Sequence, residues 1–281
     1  MGHARYSPSS AFRRLHCPPS LVLEESFDDE TSAYAAEGTA GHALAEHLIK
    51  RYLKQQTKRP VSDYYTDELV DAVNDYVEFV IGQIEEARRT CKDPVFSVEQ
   101  RVDASEYVEG CYGTADMVII TDEMVHIIDL KLGKGVAVDA TENSQLMIYG
   151  LGMLQKAELL YDPHIVRLSI YQPRIYNYST WDTTPDALKK WGNEVLRPNG
   201  AMALIGAGEY AAGSWCRFCK ARFKCRARAE EFLSLAQMEF RQPALLEDEE
   251  IAEVLRKADD LAKWASEIYS YAQDEAIVNG K

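Results

Sequence analysis

Apolar residues along the chain follow two different periods, one typical of helices and one typical of strands. Four long segments carry an apolar residue at every third or fourth position, the spacing of an amphipathic helix. They are residues 33–54, 66–89, 143–156 and 248–277. Four short segments are rich in β-branched and aromatic residues and are bounded by turn-forming residues, which is typical of strands. They are residues 95–102, 112–121, 124–132 and 166–172.

Shorter helices are predicted at residues 11–15, 185–196 and 199–205. The resulting order is helices, three strands, a helix, a strand and a helical tail. This order predicts an α/β core with helical flanks. We expect residues 1–240 to form one domain and residues 241–281 to add a C-terminal amphipathic helix.

The charge balance limits the kinds of partner that the chain can bind. Its 281 residues include 45 acidic and 31 basic side chains, a net charge of −14. This excess argues against a protein that binds nucleic acid over its whole surface, because phosphate contacts depend on Lys and Arg. It is compatible with an enzyme that has a local basic track. Since no apolar run reaches the ~18 residues of a membrane helix and no secretory signal is present, we expect a cytoplasmic protein with no membrane partner.

Two acidic residues and a lysine are predicted to converge in one hairpin. If Thr121 faces Met124, the numbers of paired residues sum to 245 and Asp116 lies directly opposite Asp129. Lys131 follows two positions later and projects from the same face of the sheet. Opposed residues have Cβ atoms roughly 4.5–5.5 Å apart, and two like charges at that distance destabilise a sheet.

A divalent cation would make this pair of carboxylates stable. Mg²⁺ binds oxygen ligands and is usually held by one or two carboxylates together with water and phosphate oxygens. It activates a bound water and neutralises charge on a phosphate. Alternatively, Asp116 and Asp129 are strand carboxylates that nearby Lys or Arg side chains neutralise. The hairpin alone favours neither interpretation.

The motifs around this hairpin resemble those of the RecB-like branch of the PD-(D/E)xK nucleases. Residues 113–116 (Gly-Thr-Ala-Asp) and 128–131 (Ile-Asp-Leu-Lys) are similar to its two metal-site motifs. Residues 38–42 match its Gly-x-x-x-His signature, and residues 145–149 match its Gln-x-x-x-Tyr motif. One departure is Ala115, which stands where the family name would place proline.

The resemblance implies a PD-(D/E)xK restriction-endonuclease-like core, a mixed central sheet flanked by helices, with helical N- and C-terminal additions. It implies that His42, Asp116, Asp129 and the backbone carbonyl of Leu130 bind Mg²⁺ or Mn²⁺. It further implies that Asp116, Asp129 and Lys131 are catalytic. Gln145 and Tyr149 would contact the substrate strand or brace the site, with plain helix packing as the alternative. Glu99, on the preceding strand, is interpreted as a structural residue, and Glu46 is a candidate for orienting His42.

Four cysteines form a second candidate site. Cys216, Cys219 and Cys225 have the spacing of metal ligands, and Cys17 is the candidate for a fourth. Both zinc and an iron–sulfur cluster take four such ligands, so the spacing leaves both open. One early cysteine with a late Cys-x₂-Cys-x₅-Cys is similar to the AddB-type nucleases. That resemblance implies a [4Fe-4S] cluster that joins the two ends of the nuclease domain.

A basic segment, residues 217–228, overlaps these cysteines. It contains six basic and no acidic side chains, with Phe218 and Phe223 interleaved. Such a pattern suits single-stranded nucleic acid, and we predict that Arg217 and Arg222 bind substrate. Equally, the aromatic rings would pack around the cluster and the basic groups would offset its negative charge.

Three functions therefore remain in competition. The first is a metal-dependent exonuclease acting on single-stranded or end-bearing DNA in phage recombination or replication, with phage recombination or single-strand-binding proteins as partners. This setting is implied by the resemblance alone. The second is a non-catalytic DNA-binding accessory protein. The third is a zinc-stapled structural or interaction protein whose C-terminal helix forms the partner surface.

Overall fold

The structure is a computed structural model that describes residues 4–28, 33–236 and 248–279. Its helices are α1 (Ala11–His16), α2 (Ser20–Glu24), α3 (Ala33–Tyr52), α4 (Asp67–Thr90), α5 (Ser144–Ala157), α6 (Pro185–Trp191), α7 (Arg197–Leu204), α8 (Arg226–Ala236) and α9 (Asp248–Asn279). Its strands are β1 (Val95–Asp103), β2 (Tyr112–Ile120), β3 (Met124–Leu130), β4 (Ile165–Gln172) and β5 (Asn177–Thr183).

The five strands form one mixed sheet in the order β1-β2-β3-β4-β5. Neighbouring strands are antiparallel except β3 and β4, which are parallel and are connected through α5. A parallel pair needs a crossover connection of this kind. The predicted fold class, an α/β core with a mixed sheet flanked by helices and with helical terminal regions, is confirmed.

Helix α4 covers one face of this sheet. The Thr66 hydroxyl caps it by accepting a hydrogen bond from the Leu69 amide, and acidic residues in its first turn and basic residues in its last turn complement the helix dipole. Its buried stripe packs into a cluster with apolar side chains of β2 and β3. Those side chains are Met117, Ile119, Ile128 and Leu130.

Strand β5 was missed by the sequence analysis, which ended the strands at Gln172. Its seven residues alternate between half-buried and exposed positions, but they include no aliphatic side chain. Pairing with β4, from Val166–Thr183 to Gln172–Asn177, holds this strand in place. The helix predicted at residues 185–196 is α6 followed by one turn of π-helix, Gly192–Leu196.

The chain groups into two compact units. The first comprises residues 4–15 and 33–202 and contains the sheet. The second comprises residues 16–28, 203–236 and 248–279. The C-terminal helix α9 therefore belongs to the same unit as Cys17 and as Cys216, Cys219 and Cys225.

The described helices include none that is both long enough and apolar enough to cross a membrane.

Candidate functional site

The register of β2 and β3 is the predicted one. Pairs from Ile120–Val125 to Met117–Ile128 all sum to 245. Beyond Met117 the backbone pairing gives way to a side chain, because the Leu130 amide donates to Oδ2 of Asp116 at 2.7 Å. Asp116 is therefore anchored where β2 and β3 separate.

His42 on α3 reaches this carboxylate directly, with Nδ1 3.0 Å from Oδ1 of Asp116. A Cβ atom at the neighbouring Gly41 would lie 2.2 Å from the Leu132 side chain, so glycine allows α3 to approach the end of β3. Burial lowers the pKa of His42, but Asp116 outweighs it and the pKa rises to about 9. Glu46 pairs with Lys50 at 2.5 Å and does not have the predicted orienting contact with His42.

Glu99 belongs to the site, although the sequence analysis interpreted it as structural. It lies on β1 between the paired positions Val98–Met117 and Gln100–Ala115, which places it opposite Asp116. Its backbone has a φ of 50°, in the left-handed region that non-glycine residues rarely adopt. Ligand atoms of His42, Glu99 and Asp116 lie within 4.8 Å of one another. Burial raises the pKa of Glu99 to about 7, and the Asp116 charge adds to this rise.

Asp129 is held by a network of three side chains. Lys131 Nζ lies 2.8 Å from its Oδ2, and Gln145 Nε2 donates to its Oδ1 at 3.2 Å. The Gln145 amide oxygen also accepts from Lys131 at 3.0 Å, and its nitrogen lies 3.2 Å from the Tyr149 hydroxyl. Burial raises the pKa of Asp129, and the Lys131 ammonium opposes that rise. Gln145 and Tyr149, on one face of α5, thus brace the carboxylate and the lysine.

Two buried oxygen atoms at this site have no hydrogen-bond partner among the described residues. One is Oδ2 of Asp129, which is in an ion pair with the Lys131 ammonium at 2.8 Å. The other is the hydroxyl of Tyr76 on α4. Burial, and then the charges of Asp116, Asp129 and Glu99, raise the pKa of Tyr76 well above its usual value, so this hydroxyl lies within electrostatic reach of the carboxylates. The sequence showed Tyr76 only as a member of the apolar stripe of α4.

These side chains fit a hard divalent cation. Three carboxylates and one imidazole offer oxygen and nitrogen ligands, a set that suits Mg²⁺ or Mn²⁺. The carboxylates share a buried region in which their mutual repulsion is weakly screened. A cation there would offset that repulsion. The arrangement can therefore polarise a phosphate and a water molecule.

The raised pKa of Glu99 makes the stability of the metal-free protein depend on pH. Because the folded pKa, about 7, lies above the ordinary value of 4.5, the folded state binds this proton more tightly than the unfolded state. The stabilisation that this bound proton gives the folded state is fully present below the unfolded pKa and is lost as the pH rises through about 7. We expect Glu99→Gln to raise the unfolding free energy by roughly 2 kcal/mol at about pH 8, and by little at about pH 5. Thermal unfolding without added divalent metal measures this difference.

The exposed Glu109 provides the matched control, since Glu109→Gln removes the same charge from the same unit. With Mn²⁺ present, wild type should gain more stability than Glu99→Gln. A Glu99→Gln protein with the same pH profile as wild type would show that this carboxyl titrates normally.

The four predicted cysteine ligands lie in the second compact unit. Cys17, Cys216 and Cys219 are buried and Cys225 is half-buried. Burial raises the pKa of Cys216, and the thiols of Cys225 and Cys17 act on it in the same direction, as neighbouring groups would. Their sulfur atoms are not among the ligand groups within 4.8 Å of one another, which in the described part of the chain are limited to His42, Glu99 and Asp116.

The two arginines of the basic segment that were predicted to bind substrate differ in their surroundings. Arg217 lies over the ring of Phe218, which is 76% exposed, at 5.4 Å from the ring centroid. Arg222, by contrast, pairs with Glu267 of α9 at 3.5 Å. Of the two predicted substrate-binding arginines, Arg217 is therefore at an exposed position and Arg222 is engaged with α9.

Fold and site together define an α/β protein with a cluster of carboxylates, a histidine and a lysine at the end of a mixed sheet. The chain belongs to the family described as "Protein of unknown function (DUF2800)", which matches residues 3–281. Among solved structures, it is similar to "Crystal structure of SSO0001", at 13% identity and a TM-score of 0.30, over 78% of this chain and 96% of that one.

Proposed function

We propose that the protein is a metal-dependent DNA nuclease. The observation that carries this proposal is the convergence of the ligand atoms of His42, Glu99 and Asp116 within 4.8 Å of one another. They come from α3, β1 and β2, and Asp129 and Lys131 lie at the end of the neighbouring strand β3. Phosphodiester hydrolysis needs a cation for the phosphate, an activated water and a positive group for the developing charge. Residues of each required type are present here. The motif resemblance supports DNA as the substrate.

His42, Asp116 and Asp129 would hold Mg²⁺ or Mn²⁺, with Glu99 as an additional ligand or as a base for water. The Leu130 carbonyl stays a predicted ligand, and its amide already fixes Asp116. When bound, the cation supplies charge neutralisation on the phosphate and lowers the pKa of a bound water.

Lys131 would act as a cation rather than as a base. Burial lowers its pKa, but the neighbouring Asp129 charge outweighs burial and the pKa rises, so the ammonium keeps its proton. About a third of its side chain is exposed (30%), which allows it to reach a phosphate oxygen. Its role is then to stabilise negative charge that develops during cleavage. Gln145 orients it by accepting one of its hydrogen bonds.

The cysteines Cys17, Cys216, Cys219 and Cys225 would bind a [4Fe-4S] cluster. Three of these side chains are buried, and all four belong to one compact unit, which supports a shared site. Zinc is the competing occupant. In this proposal the enzyme acts as an exonuclease on single-stranded or end-bearing DNA in phage recombination or replication. That setting, in the cytoplasm of a bacterial host beside recombination or single-strand-binding proteins, follows from the resemblance.

A cleavage assay tests the proposal. Labelled linear single-stranded, linear duplex and circular single-stranded DNA are incubated with the protein and Mg²⁺ or Mn²⁺, or with a chelator. We expect the linear substrates to be degraded only with metal, and the circle to survive if the enzyme needs an end. Binding without cleavage in either metal would favour the non-catalytic accessory protein, and neither binding nor cleavage would remove DNA as the substrate.

A further inference from the structure

Helix α9 lies against the basic segment within the second compact unit. The helix is strongly acidic, with nine acidic and three basic residues between Asp248 and Asn279. The basic segment has six basic and no acidic side chains. The sequence alone leaves open whether the C-terminal helix forms a partner surface. Its contacts show that part of it is occupied internally.

One carboxylate of α9 binds two arginines of the basic segment. Oε2 of Glu267 accepts from Arg228 at 2.5 Å, and its Oε1 lies 3.5 Å from Nε of Arg222. An anionic group held between guanidinium groups is the arrangement in which arginines bind phosphate. Glu267 therefore occupies a position that suits a nucleic-acid phosphate.

One aromatic ring of α9 stacks on the same segment. The rings of Tyr271 and Phe223 have centroids 4.8 Å apart and an interplanar angle of 18°. Lys224 Nζ lies 4.6 Å from the Tyr271 ring centroid. Stacking on an aromatic side chain beside basic groups is how proteins bind the bases of single strands. Since Glu267 and Tyr271 are four residues apart on one helix face, the helix presents an anion and a flat ring side by side.

We propose that the basic segment is a binding surface for single-stranded nucleic acid, and that α9 covers it by imitating a nucleotide. Glu267 stands in for a phosphate and Tyr271 for a base. The exposed pair Arg217 and Phe218 forms the uncovered end, where a strand makes its first contact. Strand binding then displaces the contacts of Glu267 and Tyr271. The inference rests on the proposed function only for the choice of DNA as the strand.

A binding measurement with the full-length protein tests this surface. The probe is a fluorescent oligothymidylate of about 15 nucleotides, near the upper site size of a single-strand-binding fold. No divalent cation is added, so that cleavage does not interfere. We expect Glu267→Gln to bind the probe about fivefold more tightly than wild type, equivalent to about 1 kcal/mol, because the competing carboxylate is removed.

The matched control is Glu249→Gln, the same charge change at an exposed position of α9 that lies about 27 Å further along the helix. It should change affinity only slightly. Phe218→Ala, at the exposed end of the segment, should weaken binding severalfold, as the loss of a stacking platform does. Circular dichroism confirms that each variant retains its helices.

Equal affinities of Glu267→Gln and Glu249→Gln would overturn the proposal and leave α9 as a structural clamp. Unchanged binding by Phe218→Ala would also overturn it, because the strand would then bind elsewhere. The result is separate from the nuclease proposal. Tighter binding by Glu267→Gln in a protein that cleaves no DNA would retain this surface while removing the catalytic function.

Discussion

Replacing Asp116 with asparagine is expected to lower DNA cleavage by at least about 10³-fold, equivalent to roughly 4 kcal/mol of lost transition-state stabilisation. Asparagine keeps the shape of the side chain, and its oxygen can still accept the hydrogen bond from the Leu130 amide. The change therefore removes the charge and leaves the junction of β2 and β3 in place. Metal affinity, measured by calorimetry with Mn²⁺, should fall together with cleavage.

Lys131→Met separates chemistry from metal binding. It should lower cleavage about 10²–10³-fold, as loss of an electrostatic stabiliser does, while Mn²⁺ still binds. Asp182→Asn is the matched control: it removes a carboxylate that pairs with Arg167 on β4 and β5, away from the carboxylate cluster, and should leave cleavage unchanged. Full cleavage by Asp116→Asn would show that any nuclease activity arises elsewhere.

Replacing Cys17 with alanine is expected to remove most of the iron from the protein and the visible absorption of the cluster. A [4Fe-4S] cluster takes four thiolates, so the loss of the single N-terminal ligand leaves it incomplete. Since the proposed ligands would join residues 16–28 to residues 203–236, the second compact unit should lose stability on the order of 5 kcal/mol. Iron and sulfide analysis after anaerobic purification, together with thermal unfolding, measures both effects.

Cys91→Ala is the control for this substitution. Cys91 is also buried, but it lies in the first compact unit, where its sulfur is 3.5 Å from the Asp122 carboxylate. Iron content should be unchanged in that variant. If wild-type protein carries zinc and no iron, the four cysteines form a structural zinc site and not an iron–sulfur cluster. If it contains neither metal, both assignments are contradicted.

The hairpin could be predicted from the sequence because a short turn fixes its register. With only Asp122 and Glu123 between Thr121 and Met124, the pairing from Ile120–Val125 to Met117–Ile128 follows. Asp116 and Asp129 come directly after the last of these pairs. The motif resemblance then indicated His42, Gln145 and Tyr149. In the structure these six side chains form two groups of contacts, His42 with Asp116, and Asp129 with Lys131, Gln145 and Tyr149. The charge of Asp116 acts on Asp129 across the two groups.

Glu99 could not be placed in the same way. The connection between β1 and β2 forms its own turns, in which Ala104 donates to Cys111 and Tyr107 donates to Ala104, so its length does not determine the register. The positive φ of Glu99 is likewise not indicated by any pattern in the sequence. Tyr76 was hidden for a different reason, since a tyrosine in an apolar stripe looks like a core residue until the direction of its hydroxyl is known.

The covering of the basic segment was also beyond the sequence. Both Glu267 and Tyr271 lie on an ordinary amphipathic helix, and only the fold brings them to Arg222 and Phe223. Charge complementarity between the two segments was visible in their compositions. It could equally have served contact with a second protein.

The glycine that precedes Asp116 in its motif links two distant parts of the sequence. A Cβ atom at Gly113 would lie 3.0 Å from the ring of Tyr149 and 3.1 Å from its hydroxyl. Tyr149 in turn contacts Gln145, which holds Asp129 and Lys131. The absence of a side chain at Gly113 thus leaves room for Tyr149 of the Gln-x-x-x-Tyr motif. Natural variation at either of these two positions should therefore be accompanied by change at the other.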